Sequence, residues 1–162
     1  MDQQEINRKL AFFNIGPDDF QRFGPVGRAM ARAAPAALER LYARIESTPE
    51  TAGKFTSQAM MAHARQKQIE HWAAMFAGHA NTGYFDKAQK IGHIHARIGL
   101  APQWYIGAYA SALDDVVVDM LRRSFGPLGH RTGRAIGSMV KMALLDMEVA
   151  LGTYFDAEQE SR

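Results

Sequence analysis

The stretch Ile91-Gly92-His93-Ile94-His95-Ala96-Arg97-Ile98-Gly99-Leu100-Ala101-Pro102-Gln103-Trp104-Tyr105-Ile106-Gly107-Ala108-Tyr109 decides how the rest of the chain is read. It reads as the end of one helix and the start of another. Gly99 suits the left-handed position just past a helix end, and Pro102, with no backbone N–H to satisfy, suits the first turn of the next. On a wheel of 100° per residue, Tyr84, Ala88, Ile91 and Ile98 fall within about 60° of His95, which therefore sits on an apolar face. His93 falls about 160° away, among Gln89, Lys90 and Arg97. The two histidines diverge, so they cannot clamp one metal from a helix. Gly92, one turn before His95, is expected to leave bare backbone on that face. Two roles then fit His95: a core histidine with a hydrogen-bond partner, or an axial ligand presented to a flat apolar cofactor that uses the room at Gly92.

Working outward, the apolar period stays near 3.6 residues almost throughout, with no sustained two-residue alternation. Gly16-Pro17, Gly24-Pro25, Pro49, Gly83 and Gly126-Pro127 supply the breaks. Helices are expected near 2–13, 17–22, 27–47, 57–78, 84–98, 102–124 and 130–157, with Pro35 kinking or restarting the third. This is an all-α chain. At 162 residues it fits one domain. It has no cysteine, which removes disulfides, iron–sulfur ligation, thiolate zinc sites and cysteine nucleophiles. Nineteen Lys and Arg against 17 Asp and Glu are scattered along the chain, unlike the clustered basic face of a nucleic-acid binder. Although 47% of residues are hydrophobic, no apolar run approaches the roughly 18 residues of a membrane span. Met1-Asp2-Gln3-Gln4-Glu5 has no apolar core of a secretory signal, so a cytoplasmic domain is expected.

In the last two helices Trp104, Tyr105, Ala108, Tyr109, Ala112, Val116 and Met120 recur at helical steps, as do Ile136, Met139, Val140, Ala143, Met147, Ala150, Leu151 and Tyr154. These are core faces. The final helix is also broadly apolar between Ala135 and Leu145, which points to a bundle with a second copy. Asp114 and Asp115 diverge on adjacent helix positions. No nucleophile elbow, phosphate loop or His-Glu-x-x-His occurs, so nothing argues for hydrolysis or phosphoryl transfer.

The run His95-Ala96-Arg97-Ile98-Gly99-Leu100, followed by Pro102-Gln103-Trp104-Tyr105, resembles the globin-coupled sensors, haem gas sensors whose sensor domain is a modified globin. His71-Trp72-Ala73-Ala74-Met75-Phe76-Ala77-Gly78 and Leu41-Tyr42 match as well, and the likeness spans roughly 26–155. It implies a globin-like fold with an extra N-terminal helix and a short or absent D-helix region, over residues 1–157. It implies a b-type haem between helices 57–78 and 84–98, with His95 as proximal ligand of the iron. Tyr42 matches the distal tyrosine that hydrogen-bonds bound oxygen, Tyr105 a tyrosine beside the proximal histidine, and Phe55 an aromatic on the haem face.

The distal helix departs from the family pattern. By the wheel its inward face is Met61, Ala64, Gln68, Trp72 and Met75. Ala64 stands where family members often carry a larger aliphatic, and Lys67 where a small hydroxyl residue is common. Either Lys67 or Gln68 could assist Tyr42, and the sequence leaves that choice open. His63, His71 and His79 recur every eight residues, but the 80° drift per step spreads them around the helix, against a zinc site.

The implied function is reversible binding of O2, CO or NO at a haem, signalled through a homodimer of the last two helices to a C-terminal effector: a chemotaxis transducer, a diguanylate cyclase or a histidine kinase. Residues 158–162 read as the start of the linker to it. Two rivals remain at this stage: a haem enzyme that detoxifies nitric oxide or reduces peroxide, and a haem-free helical dimerisation module.

Overall fold

The computed structural model describes residues 1–78, 80–124 and 128–160, without side-chain detail at 128, 130 and 154–160. His79, the side chain of Tyr154, and 161–162 at the end of the expected linker lie outside the described residues. The elements are α1 (Gln3–Phe12), α2 (Pro17–Ser47), α3 (Pro49–Ala52), α4 (Gln58–Met75), α5 (Thr82–Arg97), α6 (Pro102–Arg122) and α7 (Leu128–Glu160). No strand occurs among the described residues. The all-α fold with an extra N-terminal helix is as expected, and the four-residue α3 is the short D-helix region.

Local chemistry sets most of the ends. Asp2, Ser57 and Asn81 cap α1, α4 and α5, each side chain accepting a backbone N–H of the first turn. Pro17, Pro49 and Pro102 open α2, α3 and α6, where the missing N–H costs nothing. α5 closes as foreseen at Gly99, whose φ is +68°. The N–H of Leu100 donates to the His95 carbonyl at 3.0 Å and that of Gly99 to the Ala96 carbonyl at 3.0 Å, the paired bonds of a Schellman motif.

The expected breaks within 17–47 do not occur. The chain does not break at Gly24-Pro25 or restart at Pro35: α2 is a single helix of 31 residues containing both prolines. Pro25 and Pro35 lie on its exposed side, so the carbonyls they deprive of a partner can turn to water. The opposite side carries Phe23, Val26, Met30, Ala34 and Leu38, all buried at steps of three and four. Burial of that stripe, roughly 1.5–3 kcal/mol for each large side chain, outweighs the local cost of two exposed prolines.

The core lies between α2, α5, α6 and α7, with α7 packed most closely on α5. Gly92 explains the closeness. A Cβ there would stand 2.2 Å from the Ala150 carbonyl oxygen and 2.4 Å from Thr153 Oγ1. The bare backbone at Gly92 therefore faces α7 and leaves no room for a cofactor, correcting the expectation above.

A second clasp joins α7 to the start of α2. Asp19, 5% exposed, accepts from Ser138 Oγ at 2.7 Å and the Gly16 N–H at 2.9 Å, and pairs with Lys141 Nζ at 2.7 Å. Burial works to raise its pKa, but Lys141, Gly16 and Ser138 together hold the carboxyl below its ordinary value. A depressed carboxyl stabilises the fold above its unfolded pKa, and that contribution is lost as pH falls through the folded value. Asp19→Asn is expected to cost about 2 kcal/mol at neutral pH, and to flatten the loss of stability below about pH 4, in urea titrations across that range.

Candidate functional site

α4 and α5 scarcely touch, and a cavity of about 450 Å³ lies between them. That is within the usual size of a small-molecule or cofactor site. α2 supplies Leu41, Tyr42 and Ile45, α4 supplies Ala64, Gln68 and Trp72, and α5 supplies Ile91 and His95, with Ile98 just past its end. Trp104, Tyr105, Ala108 and Tyr109 come from the opening of α6, and Phe55 from the link between α3 and α4.

All eight residues singled out in the sequence, His95, Tyr42, Phe55, Ala64, Lys67, Gln68, Trp72 and Tyr105, line this cavity. Met61, expected on the inward face of α4, does not, whereas Met60 and His63 at the mouth do. Lys67 is 60% exposed and held by Glu70 at 2.7 Å, so its charge is engaged at the rim. Gln68 is half-buried. His93 is exposed, as the wheel required.

His95 projects from the last turn of α5. Its Nδ1 is buried and has no hydrogen-bond partner among the described residues. Burial, with the neighbouring His71, pulls its pKa down to about 4. At neutral pH the ring is therefore an uncharged imidazole. Its ring packs on Tyr105 with centroids 5.1 Å apart and planes tilted by 55°. A buried polar nitrogen with nothing to bond is uncommon. Tyr42 packs on Phe55 at 5.8 Å, and burial pushes its pKa up to about 12, so its hydroxyl remains a donor. Of the three histidines at eight-residue spacing, the two that are described lie apart in burial. His63 is exposed, His71 is buried on α4, and no metal-binding cluster occurs among the described residues.

Sequence reasoning missed one group. Asp146 of α7, fully buried, pairs with His71 Nε2 at 2.9 Å and accepts from the hydroxyls of Tyr84 and Tyr109. Its signal was a lone acid in the buried stripe Met139, Met142, Ala143, Val149, Ala150 and Thr153 of α7. Tyr109 is also a cavity wall residue.

A helical fold with an extra N-terminal helix and a histidine-lined apolar cavity defines a globin-type domain. A family model, protoglobin, matches residues 2–160, and the chain belongs to the protoglobin family. It is similar to the heme-based aerotactic transducer HemAT of Halobacterium salinarum, with 26% identity over 166 aligned positions covering 97% of this chain and 34% of the transducer. The chain thus spans about a third of that relative's length. The globin domain of a Geobacter sulfurreducens globin-coupled sensor superposes with a TM-score of 0.82 at 19% identity, covering 95% of this chain and 98% of that one. The resemblance to globin-coupled sensors drawn from the sequence is borne out, and so is the globin-like fold. No described helix is long and apolar enough to cross a membrane.

Proposed function

We propose that this domain binds one b-type haem in the cavity between α4 and α5 and serves as a diatomic gas sensor, with His95 as the proximal ligand. The observation that carries this is His95 itself: an uncharged imidazole on the wall of an apolar cavity of about 450 Å³. The donor set suits haem, since a neutral histidine is the usual proximal ligand in globins and the rest of the wall is aromatic and aliphatic. When bound, haem supplies an iron centre that takes up O2, CO or NO.

The chain's own residues do the rest. Tyr105 packs against the His95 ring and limits its rotation. Tyr42, protonated at all physiological pH, would donate a hydrogen bond from its hydroxyl to a polar diatomic ligand, and Phe55 braces the Tyr42 ring. Gln68 is the better placed assistant, because Glu70 holds Lys67 at the rim. Trp72 and Ile91 keep water from the inner wall. Residues 1–157 form the sensor domain and 158–162 begin a linker.

The domain itself is not an enzyme on this reading. It acts in the cytoplasm as a homodimer through α6 and α7, where Val118, Leu121, Val140 and Leu144 are exposed apolar side chains. An effector of the chemotaxis-transducer or diguanylate-cyclase class follows the linker.

The test is a visible absorption spectrum of the haemin-reconstituted protein, ferric, reduced, and under O2 and CO, beside His95→Ala. A Soret band that shifts with each gas, and lost or altered iron coordination in the variant, is the expected result. No Soret band, or one the substitution leaves unchanged, overturns the assignment. Steady turnover with an electron donor would make the domain a haem enzyme.

A further inference from the structure

Behind the cavity, four helices meet on one carboxylate. Asp146 belongs to α7, and its partners His71, Tyr84 and Tyr109 belong to α4, α5 and α6. A buried anion is costly unless its lone pairs are filled, and three donors around one carboxylate fill most of them. Burial together with the Asp146 charge drives the pKa of both tyrosines well up, so each stays a hydroxyl donor to the anion.

The cluster continues into the cavity wall. The Tyr109 ring meets Trp72 edge-on, with centroids 6.2 Å apart, and lies 5.1 Å from Tyr105, itself 5.1 Å from His95. His71, the other arm of the cluster, directly precedes Trp72 in α4 and stacks on Tyr84 with planes 8° apart. The carboxylate thus fixes the wall from the α6 side through Tyr109 and from the α4 side through His71.

We propose that Asp146 is a positioning residue for the pocket: through the Tyr109 hydroxyl it fixes the aromatic wall that Tyr105 and Trp72 share, and so joins the setting of His95 to α7. The proposal rests on the haem-pocket reading above. It differs from a plain structural role in one respect. A clamp that only stabilises would change unfolding and leave the bound pocket's properties alone, whereas a positioning residue changes both. By reciprocity, whatever occupies the pocket biases α7 at Asp146 by the same coupling.

The test uses the full haemin-loaded chain and four variants: Asp146→Asn, Tyr109→Phe, the pair combined, and Tyr84→Phe. Haemin dissociation to a scavenging globin and the iron–histidine stretching band of the ferrous protein are read for each. Asp146→Asn and Tyr109→Phe are each expected to speed haemin loss about tenfold and to shift the band the same way. The pair combined is expected to do no more than either alone, because both remove one interaction. Tyr84→Phe is expected to lower stability with the band unmoved.

A wild-type band and rate in Asp146→Asn, or fully additive effects in the pair, would overturn the proposal. Should Asp146→Asn not fold, Tyr109→Phe, which deletes a single oxygen, decides on the band and the rate. If the wild type takes up no haemin, the functional reading fails on its own. The same cycle is then read in haem-free protein from Trp72 fluorescence in a Trp104→Phe background. Equal, non-additive changes would support the wall-positioning role, and additive ones would overturn it.

Discussion

Gly92→Ala is expected to destabilise the domain by about 2–3 kcal/mol, against the sign that helix propensity alone gives. In the middle of a helix, glycine to alanine normally gains about 1 kcal/mol by removing backbone entropy. At Gly92 the added methyl would stand 2.2 Å from the Ala150 carbonyl oxygen and 2.9 Å from its carbon, so backbone must move. No rotamer can relieve such an overlap, and packing strain wins. Gly133→Ala on α7 is the control, since nothing lies within 4 Å of an added Cβ there, and it should gain up to about 1 kcal/mol. Urea unfolding of the two variants reads the difference directly. Equal gains at both sites would mean that α5 and α7 are not packed as described. Because His95 follows Gly92 by one turn, Gly92→Ala is also expected to loosen haem retention.

Tyr42→Phe is expected to speed oxygen release roughly ten- to hundredfold, the loss of one hydrogen bond worth about 1–3 kcal/mol, while changing CO release far less. Bound oxygen draws electron density and accepts a hydrogen bond well, and CO does so poorly. The substitution keeps the ring on Phe55, so unfolding should move by under about 1 kcal/mol. Gln68→Leu should give a smaller rise, and Lys67→Ala almost none, because Lys67 is already paired with Glu70 at the rim. Stopped-flow displacement of oxygen by CO separates the three. Unchanged release in Tyr42→Phe would remove Tyr42 from the oxygen-binding site.

Much of this was legible in the chain because the informative residues are local. The helix end at Gly99, the start at Pro102 and the divergence of His93 from His95 follow from spacing within one or two turns. All eight expected site residues line one cavity. Register placed His95, Ala64, Gln68 and Trp72 on inward faces, while Tyr42, Phe55, Lys67 and Tyr105 were found through the family resemblance. What was not legible depends on partners distant in sequence. Pro25 and Pro35 read as breaks because their local cost is visible, and the buried stripe that overrides it is fixed by packing on α6, α7 and α4. Gly92 read as space for a cofactor, since nothing local says that Ala150 occupies it. Asp146 passed unnoticed because its three partners lie 37 to 75 residues away.

The Schellman closure of α5 makes His95 serve twice. Its side chain faces the cavity while its carbonyl accepts the N–H of Leu100, whose side chain lines the same cavity. The ring and the latch on its helix are thus one residue. A pull on the imidazole along the helix axis works against that latch, and any slip is handed at once to Leu100 and to the Pro102 hinge where α6 begins. In mechanical terms, the His95 side of the cavity is a stiff spring whose far anchor is the first turn of α6.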